Sequence, residues 1–277
     1  MPPRFHIDTP LHASAELALA PGAARHVQVL RLQPGAAIIL FDGTGGEWSG
    51  SVVQMGRAQV LVRVQAFHVV ERELPIRVTL AVGMPANERM DALVEKATEL
   101  GVAVIQPLLC ERAVLRLAGE RALKKVAHWQ AIAVAACEQS GRTRVPHVAP
   151  VRLLPDWLAA LPAGGGASPS ARVVLSAPRP AQAGRPPWGS SKVAEPHLHE
   201  SLREPKPALR GLTASLTELT SLSGPEGGLT ETEERAAREH GFMPLQLGPR
   251  TLRADTAPLA LLAHLALNLQ AQLEGPG

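Results

Sequence analysis

The chain of 277 residues contains no tyrosine, and its aromatic share is only 3%. Its hydrophobic share is 45%, so a sizeable core is possible, built mostly from Leu, Val and Ala. Cysteine is almost as scarce. Cys110 and Cys137 are the two present, which excludes a disulfide framework and a cysteine-based zinc site. Lysine occurs at five positions, Lys96, Lys124, Lys125, Lys192 and Lys206, so arginine carries most of the positive charge. Guanidinium forks suit phosphates and base edges, although a GC-rich genome would favour the same composition. No apolar run reaches the length needed to cross a membrane. Met1–Pro10 is polar and proline-rich, unlike a signal peptide. These absences predict a soluble cytoplasmic protein with no membrane partner. His26 and His128 have no metal-like companions in the sequence, so no metal is expected.

The charge that is present is uneven. The whole chain carries a formal +3, yet Arg112–Arg152 holds eight Arg and Lys against two acids, Glu120 and Glu138. Such a stretch suits nucleic acid. It equally suits a solvated helix face, and charge alone does not choose.

Periodicity divides the chain in two. Residues 1–72 read as β structure with one helix. Ile38–Phe41, Glu47–Gln54 and Gln59–Gln65 are short apolar or alternating runs cut by turn signals, and Ala23–Arg31 has helical spacing. A small barrel fits. "VERELP" places the boundary near residues 70–75. From residue 76 to 277 strands and helices alternate. Ile76–Val82 is a strand. A helix follows with Met90, Leu93, Val94, Ala97 and Leu100 on one face, stopped by Gly101. Lys124–Ser140 reads as a long helix carrying Trp129, Ile132, Ala133, Ala136 and Cys137. Later strands are expected at 171–177, 219–223 and 242–247, with helices at 231–240 and about 256–273. This alternation predicts an α/β fold with a parallel sheet and helices on both faces. A stretch dense in Pro, Gly and Ser, residues 179–211, interrupts the pattern and reads as a flexible insertion.

The chemistry concentrates between strand and helix. "SGPEGGLTETE", Ser223–Glu233, places Gly224, Pro225, Gly227 and Gly228 around one carboxylate, Glu226. Open α/β sheets bind ligands at this end of a strand. Thr230 and Glu233 form a capping box, so the helix starts at once. A phosphate loop would want Gly-Lys-Ser/Thr or Gly-x-Gly-x-x-Gly, and neither is present. An acid inside the loop would repel a phosphate, which leaves an uncharged or cationic ligand, or a structural turn. "LGPRTLRADTA", 247–257, is a second loop of this kind, and "LSAPRP", 175–180, is a third.

Together "GPEGG", "LGPRTLRADTA", "KATELGV" (96–102) and "CEQSGRTRVP" (137–146) resemble the RsmE family of 16S ribosomal RNA uridine-N3 methyltransferases. The resemblance covers nearly the whole chain. It implies a SPOUT α/β domain with a deep trefoil knot, an N-terminal PUA-like β-barrel, a homodimer, and 16S rRNA or the small ribosomal subunit as partner. Knotted chains are rare, so pattern alone would not have suggested one. The implied cofactor is S-adenosylmethionine, a sulfonium without phosphate, which accounts for the absent lysine and the central acid. Its implied contacts are Leu175, Ser176 and Ala177 from the first loop. Gly224, Pro225, Glu226, Gly227 and Gly228 come from the second. Leu247, Gly248, Leu252 and Arg253 come from the third.

Uridine N3 must lose a proton while charge spreads onto O2 and O4. A guanidinium would stabilise that charge and a carboxylate would take the proton. Arg253, Asp255 and Glu226 are the candidates. Asp255 is equally suited to cap the last helix, Arg253 to bind loop carbonyls, and Glu226 to fix its own loop. Candidate RNA contacts are Arg4, Arg25 and Arg31 in the barrel, with Arg112, Arg142 and Arg144 beyond it. The family ending Leu-Arg-Thr/Val-Glu-Thr-Ala here has Asp255 in place of Glu, and Ala86 stands where a Lys is expected. A ribose 2′-O-methyltransferase and a non-catalytic rRNA-binding assembly factor are the competing readings.

Overall fold

The computed structural model describes residues 2–56, 59–162, 169–176 and 216–273. The expected insertion at 179–211 lies outside them.

The N-terminal part is a five-stranded sheet around one helix. Its strands are β1 (Arg4–His6), β2 (Glu16–Ala18), β3 (Ala37–Phe41), β4 (Glu47–Met55) and β5 (Val60–His68), in the order β1-β3-β4-β5-β2. Helix α1 (Pro21–Val29) turns buried Ala24 and Val27 onto it. Alternation in β5 sends Val60, Val62 and Val64 into a core shared with Phe5, Ile38 and Leu40. The expected barrel is met as a half-barrel. Edge strands β1 and β2 pair with β3 and β5, not with each other. These two strands are three residues long, too short to leave a period in the sequence.

The rest is α/β. Its strands are β6 (Arg77–Gly83), β7 (Val104–Leu109), β8 (His147–Val148), β9 (Arg152–Leu153), β10 (Ser170–Leu175), β11 (Glu218–Ser223) and β12 (Met243–Leu245). They run in the order β12-β10-β11-β6-β7-β8, with β9 also on β7, and every pairing is parallel. The helices are α2 (Asn87–Glu99), α3 (Gly119–Ser140), α4 (Leu154–Ala159), α5 (Glu231–Glu239) and α6 (Thr256–Leu273). Both faces of the sheet are covered, as parallel strands require. Val78, Leu80 and Val82 of β6 join Met90, Leu93, Val94 and Ala97 of α2 and Leu261, Leu262 and Leu265 of α6 in one core. Ala81 and Leu222 face the other side, with Leu154, Trp157, Leu158, Ala237 and Phe242. The apolar face expected for α2 is therefore the buried one, Leu100 being half-buried. Helix α3 begins five residues earlier than its apolar spacing suggests, because its first turn is exposed and polar.

The two parts are joined by buried arginines, and this corrects two expected RNA contacts. Arg4 is 7% exposed. It pairs with Glu47, donates to the Arg142 carbonyl at 3.1 Å and lies over the Phe41 ring. Arg142 is 5% exposed. Its guanidinium bonds the Glu73 carboxylate and donates to the carbonyls of Thr98 and Val102, each at 2.9 Å. Neither arginine presents its charge to solvent. A basic residue beside a turn looks like a surface contact in sequence, and only the packed partner reveals otherwise. Arg72 adds bonds to Glu47 and to the Gly141 carbonyl. Arg144 is exposed, with Nη1 donating to the Thr44 carbonyl at 2.5 Å. Arg25 and Arg31 are exposed on and just after α1.

Candidate functional site

Three strands of the parallel sheet, β10, β11 and β12, end around one cavity of about 710 Å³. The sequence order turns back here: β6 and β7 lie to one side, and β10 and β12 beyond β11 on the other. Ligands bind at such switch points because adjacent loops diverge and leave a crevice. The volume suits a small organic cofactor.

Of the expected cofactor contacts, Leu175, Ser176, Gly224, Pro225, Glu226, Gly227, Gly228, Leu247, Leu252 and Arg253 line this cavity. Gly248 is not among the lining residues, and Ala177 lies outside the described residues. Arg112, read as an RNA contact, lines the cavity too and donates to the Gly227 carbonyl at 3.1 Å. Arg89, Ser223, Leu229, Leu245 and Arg250 were not foreseen as cofactor contacts. Ser223 begins the glycine-loop motif, and that adjacency was the one available signal for it.

The loop's geometry explains its glycines. A Cβ on Gly224 would stand 2.7 Å from the Leu229 nitrogen and 2.8 Å from the Gly228 carbonyl carbon. Real Cβ atoms do not approach backbone so closely, so the loop folds back on itself only with glycine there. The Thr230–Glu233 capping box then starts α5, each side chain bonding the other's backbone N–H.

Two neighbouring loops hold the glycine loop from outside. Glu226 Oε1 accepts from the Ala86 N–H at 3.0 Å and from Arg89 at 3.2 Å, which ties the loop to the start of α2. Glu233 accepts from the Glu111 N–H at 2.8 Å. Burial raises the Glu226 pKa, but the backbone donors and Arg89 outweigh it, so the carboxyl titrates below its ordinary 4.5. A depressed carboxylate stabilises the folded loop above its unfolded pKa, and that contribution is lost as pH falls through the folded value. Ligand affinity is therefore expected to be flat above pH 4.5 and to drop below it. Glu226→Gln should weaken binding at pH 7 and flatten that acid limb. Titration calorimetry across pH would show it, and an unchanged acid limb in the variant would exclude Glu226 as its source.

The last loop brings two guanidiniums to the cavity, Arg250 and Arg253, both exposed and neither bonded among the described residues. Asp255 follows at the start of α6. Its Oδ1 is buried and accepts no hydrogen bond, while the Thr256 and Ala257 N–H groups go to the Arg253 carbonyl. That oxygen does not cap the helix. Cys110 and Cys137 are both buried, and burial pushes each thiol up to about 12, which suits core packing and not nucleophilic chemistry.

Residues 72–186 and 189–266 match the RNA methyltransferase domain, and residues 20–65 match the RNA methyltransferase PUA domain. The ribosomal RNA small subunit methyltransferase E of Synechocystis sp. is 33% identical over 240 residues, 86% of this chain and 68% of that protein. The chain belongs to the ribosomal RNA small subunit methyltransferase E family. The Bacillus subtilis member is 30% identical over 250 residues, 89% of this chain and 87% of that one. The Neisseria gonorrhoeae member, solved bound to S-adenosyl methionine, superposes with a TM-score of 0.79 at 30% identity, covering 96% of this chain and 98% of that one. The architecture is thus the family's SPOUT-type α/β fold with a PUA domain.

The cavity fits the family's cofactor on its own terms. Apolar walls of Leu175, Leu245, Leu247 and Leu252 suit an adenine ring. The buried Ser176 hydroxyl has no protein partner. The lining carries Glu226 and Glu234 beside Arg89, Arg112, Arg250 and Arg253, so it offers groups of both signs to a zwitterionic ligand. No group of three or more His, Cys, Asp or Glu among the described residues could hold a metal ion. No helix among the described residues is long and apolar enough to cross a membrane.

Proposed function

We propose that this chain methylates N3 of a uridine in the 16S RNA of the small ribosomal subunit, using S-adenosylmethionine. The observation that carries the reading is the cavity at the ends of β10, β11 and β12, built from all three loops of the family motif. In the same reading the chain works as a cytoplasmic homodimer, its methyltransferase part (76–277) closes a deep trefoil knot, and its barrel part (1–72) contacts RNA.

S-adenosylmethionine supplies an electrophilic methyl group when bound. The chain's own task is alignment and charge control. The glycine loop and the leucine walls orient the reactants. Arg253, exposed at the mouth and unbonded, stabilises the negative charge that spreads onto O2 and O4 as the N3 proton leaves. Asp255, next to the lining residue Ala254 but not itself on the cavity wall, is the acceptor of that proton in this reading, its buried Oδ1 being unbonded. Glu226 is engaged with Ala86 and Arg89 and acts by holding the loop. Arg25, Arg31, Arg112 and Arg144 contact phosphates, which makes RNA binding salt-dependent. Arg112 does so while bracing Gly227.

Calorimetric titration with S-adenosylmethionine tests the first half. Nucleoside analysis of small-subunit RNA after reaction tests the second. Saturable binding and 3-methyluridine are expected. Arg253→Ala should lower the rate about 10²- to 10³-fold while changing cofactor affinity far less. A methyl on the ribose oxygen would overturn the uridine assignment, and no binding by folded wild-type protein would overturn the enzyme reading.

A further inference from the structure

Five buried side-chain polar atoms among the described residues have no hydrogen-bond partner, and four of them lie in one corner of the molecule. They are the hydroxyls of Ser176, Ser221 and Ser223 and Oδ1 of Asp255. Ser221 and Ser223 sit on β11, Ser176 follows β10, and Asp255 precedes α6. Native proteins keep few such atoms, because a hydroxyl taken out of water and left unbonded is unfavourable. Two of the four, Ser176 and Ser223, belong to residues that line the cavity, where a ligand would supply the partners they lack.

Ser223 and Ser221 separate the possibilities. They are two residues apart on one strand, so both side chains point to the same face of the sheet. Ser223 is 3% exposed and Ser221 1%. Ser223 lines the cavity, whereas Ser221, one pleat further in, does not. A purely structural cause would treat the two hydroxyls alike.

We propose that the Ser223 hydroxyl is a cofactor-binding group, hydrogen-bonded to a part that S-adenosylmethionine shares with S-adenosylhomocysteine. The inference rests on the cofactor reading given above. Ser223 is the last residue of β11, immediately before Gly224, and its register partner on β10 is Leu175, itself a cavity wall. The residue lines the cavity, and its oxygen is buried and unbonded. No hydrogen bond holds the hydroxyl in one rotamer, so it is free to turn toward a ligand. The same hydroxyl both donates and accepts, so it serves an adenine nitrogen, a ribose hydroxyl or the amino-acid end. A neutral group does not read the sulfonium charge, so both ligands should feel its loss equally.

The test is calorimetry of S-adenosylmethionine and S-adenosylhomocysteine on wild type, Ser223→Ala and Ser221→Ala, with a melting curve of each apo protein. Ser223→Ala is expected to weaken both ligands about five- to tenfold, the worth of one net hydrogen bond. Ser221→Ala should stay within about twofold of wild type. Neither apo protein should melt lower, since each variant deletes an oxygen that bonds nothing in the fold. Equal affinities for Ser223→Ala and wild type would overturn the proposal, as would equal losses in both variants or a loss confined to the sulfonium. A clear fall in the melting temperature of apo Ser223→Ala would also overturn it, because the hydroxyl would then serve the fold. Wild-type protein that binds neither ligand would refute the cofactor reading itself, and this inference with it.

Discussion

Gly83→Ala is expected to weaken S-adenosylmethionine binding about five- to tenfold, although Gly83 does not line the cavity. Gly83 is buried at the end of β6, directly behind the glycine loop. A Cβ added there would stand 2.6 Å from Pro225 Cδ, 2.7 Å from the Pro225 nitrogen and 2.9 Å from Cys110 Sγ. The ring and sulfur belong to packed elements, so the methyl has nowhere to go and the loop must move. Overpacking of this kind costs about 1–3 kcal/mol. Part of that cost falls on the liganded state, because the loop that is displaced is the loop that forms the wall. Gly22→Ala is the control, since a methyl at Gly22 meets nothing within 4 Å. Calorimetry on both variants decides the matter. An unchanged affinity in Gly83→Ala would show that the loop is not braced by β6.

Arg142→Ala should destabilise the protein by about 3–5 kcal/mol, the range for breaking a buried ion pair from one side. The substitution strands the Glu73 carboxylate and leaves the Thr98 and Val102 carbonyls without these donors. The side chain of Glu73 is 14% exposed, so water repairs little. Denaturant unfolding would measure the loss. Arg142→Lys should recover only part of it, because an ammonium cannot reach a carboxylate and two carbonyls with the same fork. RNA affinity measured on the remaining folded protein should keep its salt dependence. A stable Arg142→Ala protein with a flattened salt response would instead return Arg142 to the RNA-contact role that its sequence context suggests.

That pair of outcomes reflects how unevenly the sequence can be read. Periodicity was enough for α2, where Met90, Leu93, Val94 and Ala97 recur on one face and are all buried. It was enough for the strands β6 and β10, which carry apolar runs, and for β11, which turn signals bound. It failed for β1, β2, β8 and β9, which are two or three residues long and owe their form to the neighbours they pair with.

The sequence by itself determined the loop chemistry. Glycines around a lone acid, without a lysine, argued against a phosphate site, and the family resemblance then led to residues that line a single cavity, Gly224, Pro225, Glu226, Gly227 and Gly228 among them. Two cysteines likewise left no material for a disulfide framework. The tertiary structure alone decided which arginines are available. Arg4 and Arg142 look like Arg25 and Arg144 in sequence, yet the first two are buried against carboxylates and the latter two are exposed. It alone showed that Gly83 backs Pro225 across 142 positions of chain, and that Ser223 and not Ser221 reaches the cavity. The physical reason is common to all three. Local pattern reports the face on which a side chain lies, whereas its partner is set by contacts between residues far apart in the chain.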